Sequence, residues 1–214
     1  MKKNRSSLAL VATVLVQIAT AFVGGCASYP SLPPAQAVAP STTSPADYKY
    51  LIGPGDSLSI FVWRNPEVST SVVVRPDGMI TTNLIEDLPV TGKTPTYVAR
   101  QIERALSRYI KDPMVTVIMN GFVGPYSEQI RVVGEAAKPQ ALPYRQRMTL
   151  LDVMIAVGGL TSYAAGNRAT IVRVVDGVQR QYMVHIDDLI KDGDISANVD
   201  MLPGDTLIIP ESWF

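Results

Sequence analysis

The sequence predicts an α+β protein built from two small folded units. Three observations carry that reading. One long amphipathic helical pattern sits between short apolar runs of strand length. A second, shorter apolar helix follows Thr149, and two strand-like runs are joined by Asp176-Gly177. Isolated helices among short strands form the α+β pattern, with each helix laid across its own sheet.

The first unit is placed at about 47–122. Gly53-Pro54-Gly55-Asp56 is turn chemistry, with Pro and Gly at the two central positions of a type II turn. It opens a strand over Leu58–Trp63. Val72-Val73-Val74 reads as a second strand, and Arg75-Pro76-Asp77-Gly78 turns it back into Met79-Ile80-Thr81. The helix follows. Thr94 is its cap and Pro95 its first residue, where a missing N–H is harmless. Val98, Ile102, Ala105, Leu106, Tyr109 and Ile110 recur at helical spacing, with Arg100, Glu103, Arg104 and Arg108 on the other face. Lys111-Asp112-Pro113 stops it, and Val115–Met119 reads as a strand.

The second unit is placed at about 127–212. Ile130–Val133 is a strand ending at Gly134. Thr149 caps a helix over Leu150–Val157, with Asp152 at the capping-box position and Gly158-Gly159 at the end. Ile171–Val175 and Val178–Ile186 flank Asp176-Gly177, a two-residue hairpin signal. A hairpin against one helix is the β-grasp pattern. Leu202-Pro203-Gly204-Asp205 then leads into Thr206–Ile209, echoing the turn-then-strand plan of residues 53–60.

The chain has 214 residues, with 47% hydrophobic and 18% charged, a balance that suits a globular protein. Net charge is zero, but Lys2, Lys3 and Arg5 crowd the N-terminus. Without them the remainder carries a net charge of about −3, which excludes the basic footprint of nucleic-acid binding. One Cys (Cys26) and one His (His185) leave no internal disulfide and no Cys- or multi-His metal site. No cofactor-binding motif is found.

The first 26 residues read as an address. A basic start precedes an apolar run over Leu8–Val23 that would span roughly 24 Å as a helix, short of the ~30 Å hydrocarbon core. It ends in Val23-Gly24-Gly25-Cys26, small residues before a cleavage point. This resembles the lipobox of bacterial lipoproteins, which implies a signal peptide over 1–25 and lipidation of Cys26. A plain transmembrane anchor and an unlipidated cleavage are the alternatives. Ala27 follows the Cys in place of Asp, which by the same resemblance directs the chain to the outer membrane. Residues 26–46, with Pro30, Pro33, Pro34, Pro40 and Pro45, read as a tether. At ~3.1 Å per residue it reaches up to roughly 60 Å.

Several pieces together resemble one family. Gly53-Pro54-Gly55-Asp56, Val74-Arg75-Pro76-Asp77-Gly78 and Lys111-Asp112-Pro113 before Val115-Thr116-Val117 resemble the polysaccharide biosynthesis/export domain. Gly134, Thr149-Leu150-Leu151-Asp152, Gly158-Gly159-Leu160-Thr161, Arg168 and the stretch from Leu202 to Ser212 resemble the soluble-ligand-binding β-grasp domain that follows it. The resemblance implies a non-enzymatic envelope lipoprotein. It would form a homo-oligomeric ring for export of exopolysaccharide or capsular polysaccharide, above an inner-membrane polysaccharide co-polymerase. Longer capsule exporters continue into an amphipathic membrane helix, whereas this sequence ends at Trp213-Phe214. The expectation is therefore a ring held to the outer membrane by Cys26 and facing the periplasm, with a separate outer-membrane β-barrel as the pore. A glycan-binding lipoprotein that forms no conduit is the alternative, and a glycan-cleaving enzyme a third reading.

No catalytic residue is assigned. Asp56, Asp77 and Asp205 lie in turns, where Asp bonds local backbone. Asp152 is a helix N-terminal partner. Arg145, Arg147, Arg168, Arg173 and Arg180 would form either a basic lining for an acidic glycan or ordinary solvated charge. Trp213 and Phe214 would either dock on a neighbour or membrane, or fold onto their own domain. The residues that contact glycan are not readable.

Overall fold

A computed structural model describes residues 47–213. The address segment, Cys26, the Pro-rich stretch and Phe214 lie outside the described residues.

The first domain is built on strand β1 (Ser57–Val62). It is the middle of a three-stranded antiparallel sheet, with β2 (Thr70–Val73) on one side and β5 (Val115–Gly121) on the other. Leu58, Ile60 and Val62 alternate onto one face and are buried, as period-two strand geometry requires. Helix α1 (Pro95–Leu106) covers that face with Val98, Ala99, Ile102 and Leu106. The Thr94 hydroxyl accepts the Tyr97 N–H at 3.3 Å, so the expected cap is formed.

Two expectations change here. Met79–Ile80 (β3) does not continue a hairpin with β2; it pairs antiparallel with Leu88–Pro89 (β4). The turn at 75–78 swings the chain off the sheet, and Ile80 is buried in the core from the side. The helix also ends at Leu106, earlier than its apolar periodicity suggests. The N–H groups of Tyr109 and Ile110 both return to the Leu106 carbonyl, at 2.8 and 2.9 Å. That tight turn leaves Tyr109 exposed while Ile110 still packs against the core.

The second domain is a five-stranded mixed sheet in the order β7-β6-β10-β8-β9. Its strands are β6 (Gln129–Gly134), β7 (Ala141–Pro143), β8 (Ala169–Val175), β9 (Val178–Val184) and β10 (Thr206–Ile209). The central pair β6–β10 is parallel and the other pairs are antiparallel. Helix α2 (Leu150–Val157) packs Leu150, Val153, Met154 and Val157 onto Ile130, Val132, Ile171, Leu207 and Ile209. The Thr149–Asp152 capping box is complete, and Gly158 closes the helix in the left-handed region at φ 80°. Asp176 and Gly177 both have positive φ, the two-residue primed turn that matches strand twist.

Strand β9 stops at Val184, two residues before the expected end. Ile186 opens a short helix, α3 (Ile186–Ile190), and His185 stands in front of it. The cause is remote. Asn167 Oδ1 accepts the N–H groups of Asp187 and Asp188 at 3.0 and 3.2 Å, capping the helix from across the domain. Ile186 still reaches the core, from a helix instead of a strand.

The segment before β1 touches both domains. Tyr48 meets Tyr144 of the second edge-to-face at 4.8 Å. Tyr50 meets Phe122, just past β5, at 5.2 Å.

Candidate functional site

The densest polar arrangement lies where the two domains meet, and it is built on Asp56. Its carboxylate is wholly buried. Oδ2 accepts the Tyr50 hydroxyl at 2.7 Å and the Gly53 N–H at 2.8 Å. Oδ1 accepts the N–H groups of Val123 and Gly124, at 2.6 and 2.9 Å. Four donors fill the lone-pair positions of one carboxylate. Burial, and then the hydrogen bond to Asp56, push the Tyr50 phenol above its ordinary range. From the second domain, the Gln129 amide donates to the Val123 and Gly124 carbonyls, both at 3.1 Å. A Cβ on Gly53 would stand 2.0 Å from the Gly124 carbonyl carbon, so this backbone approach requires glycine.

The second domain repeats the device. Asp205 is also wholly buried and binds back to the N–H three residues earlier, that of Leu202, at 2.8 Å. In place of further backbone donors it takes a bidentate guanidinium. Arg173 Nε donates to Oδ1 at 2.9 Å and its terminal nitrogen to Oδ2 at 2.7 Å. The same terminal nitrogen reaches the Asp200 carbonyl at 3.0 Å. Hydrogen bonding to Asp205 raises the Arg173 pKa further above its ordinary value. The echo between residues 53–60 and 202–209 is thus a shared turn with a shared buried Asp.

The remaining residues singled out from the sequence are dispersed. Asp77 pairs with Arg75 and accepts the Met79 N–H within its turn. Asp152 holds the cap of α2, and its hydrogen bonds from Thr149 lower its pKa. His185 is half-exposed, with Nδ1 3.9 Å from Asp188. Among the described residues no group of His, Cys, Asp and Glu could hold a metal. The five arginines are divided. Arg168 donates to the Glu211 carbonyl at 2.9 Å and Arg173 is bound to Asp205. Arg180 sits across the β8–β9 ladder from Arg173. Arg145 and Arg147 line a cleft of about 440 Å³ together, against Met148, Asp152 and Ile155. Trp213 is 83% exposed and makes no docking onto its own domain.

Sequence reasoning placed Asp56 and Asp205 in turns but missed their partners. Tyr50, Val123, Gly124 and Gln129 complete the first node, and Arg173 the second. For the first node the available signal was the Gly-x-Gly-Asp turn itself, since two glycines beside an acid mark a close backbone approach. Both oxygens of Asp56 are taken by protein donors. The arrangement fixes the two domains to the segment that leads into them.

Comparison with known proteins gives two domain families in tandem. Residues 44–120 match the polysaccharide biosynthesis/export protein family and residues 128–209 match the SLBB domain. Among curated proteins, the chain is similar to the EPS I polysaccharide export outer membrane protein EpsA of Ralstonia nicotianae. Identity is 27% over 186 residues, covering 76% of this chain and 47% of that protein. The corresponding protein of Ralstonia solanacearum is 29% identical over 180 residues, covering 73% of this chain and 46% of its own length. The chain therefore spans about half the length of the curated relatives it matches.

Proposed function

Because the chain belongs to the polysaccharide biosynthesis/export family, we propose that it is an envelope lipoprotein that assembles into a ring for polysaccharide export. The observation that carries this reading is the tandem of an export domain and an SLBB domain, in that order, across residues 44–209. In this reading residues 1–25 are a signal peptide, Cys26 is lipidated, and 26–46 tether the body to the outer membrane on its periplasmic side. An inner-membrane co-polymerase delivers the polymer. Among the described residues no helix is long and apolar enough to cross a membrane. In this reading a separate outer-membrane β-barrel completes the path.

The role is passive and not enzymatic. Asp56 and Asp205 are buried and their oxygens are filled by protein donors, which suits structure and leaves them no part in acid–base exchange on a sugar. Deleting the gene is expected to abolish secretion of the cognate polysaccharide. Electron microscopy of the detergent-extracted protein is expected to show closed rings. Secretion that continues undiminished in the deletion strain overturns the export role. Uniform monomers, with secretion still dependent on the gene, favour the second reading, a glycan-binding lipoprotein without a conduit.

A further inference from the structure

Among the described residues the β2-β1-β5 sheet has one face under α1 and the other uncovered. Ser57, Ser59 and Phe61 alternate outward on β1. Ser71 and Val73 do so on β2, and Thr116, Ile118 and Asn120 on β5. None of these outward side chains is ionisable, on a chain where 18% of residues are charged. Phe61 and Trp63 are 47% and 55% exposed and lie edge-to-face with their centroids 6.4 Å apart. Beside them runs a polar row. Ser59 Oγ lies 2.8 Å from Ser71 Oγ, and the Asn120 amide donates to Ser59 at 2.6 Å. Asn120 stands unmatched at the register shift between Ser57 and Leu58, on the same face as Ile118.

We propose that this open face is a saccharide-contact site. On it Phe61 and Trp63 stack against the C–H face of a neutral pyranose chain, and Ser59, Ser71 and Asn120 hydrogen-bond its hydroxyls. The proposal rests on the export reading above and names where the polymer touches the protein. A pyranose ring presents apolar C–H patches framed by hydroxyls. An aromatic face, with its negative quadrupole, suits the first, and hydroxyl and amide groups, each donor and acceptor, suit the second. The absence of charge matches a neutral chain. A second copy of the protein fits less well. Protein interfaces keep polar groups toward the rim, whereas here the polar row crosses the central strand, and docking an apolar surface would strip its water.

The test uses the full-length protein in detergent. The chain has two tryptophans, so Trp213→Phe leaves Trp63 as the sole indole emitter. Titration with cellohexaose, a neutral β-linked glucan oligomer, is expected to change that emission saturably in the millimolar range. Phe61→Ala is expected to raise the midpoint about tenfold, and Asn120→Ala to raise it less. In cells, Trp63→Ala is expected to reduce secreted polymer while the particle size on native gels stays unchanged. No saturable response, or a midpoint unmoved by Phe61→Ala, overturns the proposal. So does Trp63→Ala protein that falls to smaller particles, because the face is then a contact between copies. None of these outcomes touches the export reading, which fails only if the deletion strain still secretes.

Discussion

A buried carboxylate is tolerated only when its lone pairs are filled, and Asp56 fills them with donors from positions 50, 53, 123 and 124. Removing the acid strands three backbone N–H groups and a phenol at once. Asp56→Ala is expected to cost about 3–5 kcal/mol, measured by urea unfolding of the full chain. Asp56→Asn is expected to recover only part of this, since an amide offers one acceptor oxygen where four donors converge. Tyr48 gives a second prediction. Burial raises its pKa from the ordinary 10 to about 12. The folded state therefore holds the phenol proton after the unfolded chain has released it. The stability this provides is complete below pH 10 and declines as pH rises toward 12. Urea melts at pH 9 and 11 are expected to show a smaller alkaline loss in Tyr48→Phe than in the parent protein.

At the scale of elements, α2 depends on its first turn. It has eight residues, too few to be stable alone. Thr149→Ala is expected to lower stability by about 1 kcal/mol at neutral pH, read from thermal melts. Hydrogen bonds from Thr149 depress the Asp152 pKa. The folded state therefore favours the carboxylate, and its contribution is present above the ordinary carboxylate range and lost as pH falls through the depressed value. Part of the acid destabilisation of the parent is expected to vanish in Asp152→Asn. These local devices were legible in the sequence because cap, turn and hairpin are each written within a few residues. Helices α1 and α2, strands β1, β2 and β5 and the Asp176-Gly177 turn fall in that class. Apart from the early end of α1, set by a local turn onto the Leu106 carbonyl, the misses depend on distant partners. The start of α3 is set by Asn167, twenty residues away. The pairing of β3 with β4, the parallel β6–β10 ladder and the loop N–H groups that fill Asp56 are likewise products of the closed fold, and no local pattern announces them. The open face of the first sheet was hidden for the same reason. Ser59, Ser71 and Asn120 become neighbours only through strand register.

For the whole molecule, the lipidation reading makes a direct prediction. Cys26→Ser is expected to shift the protein from the membrane fraction to the soluble periplasmic fraction on cell fractionation. One acyl chain holds a protein only marginally, so loss of the acylated sulfur leaves no comparable anchor. The folded body itself is expected to keep its melting temperature, because the substitution leaves the described core residues, all within 48–209, unchanged. A membrane fraction that retains the Cys26→Ser protein contradicts the lipid tether.

The position of β10 sets an order of events at biogenesis. That strand lies between β6 and β8, inside the sheet and not along its margin. Until Ile209 has left the ribosome, β6 and β8 have no common neighbour and the second core stays open. Any premature stop before Thr206 thus removes the keystone of the second domain, while the first, complete once Gly124 has reached Asp56, can already close over its own helix.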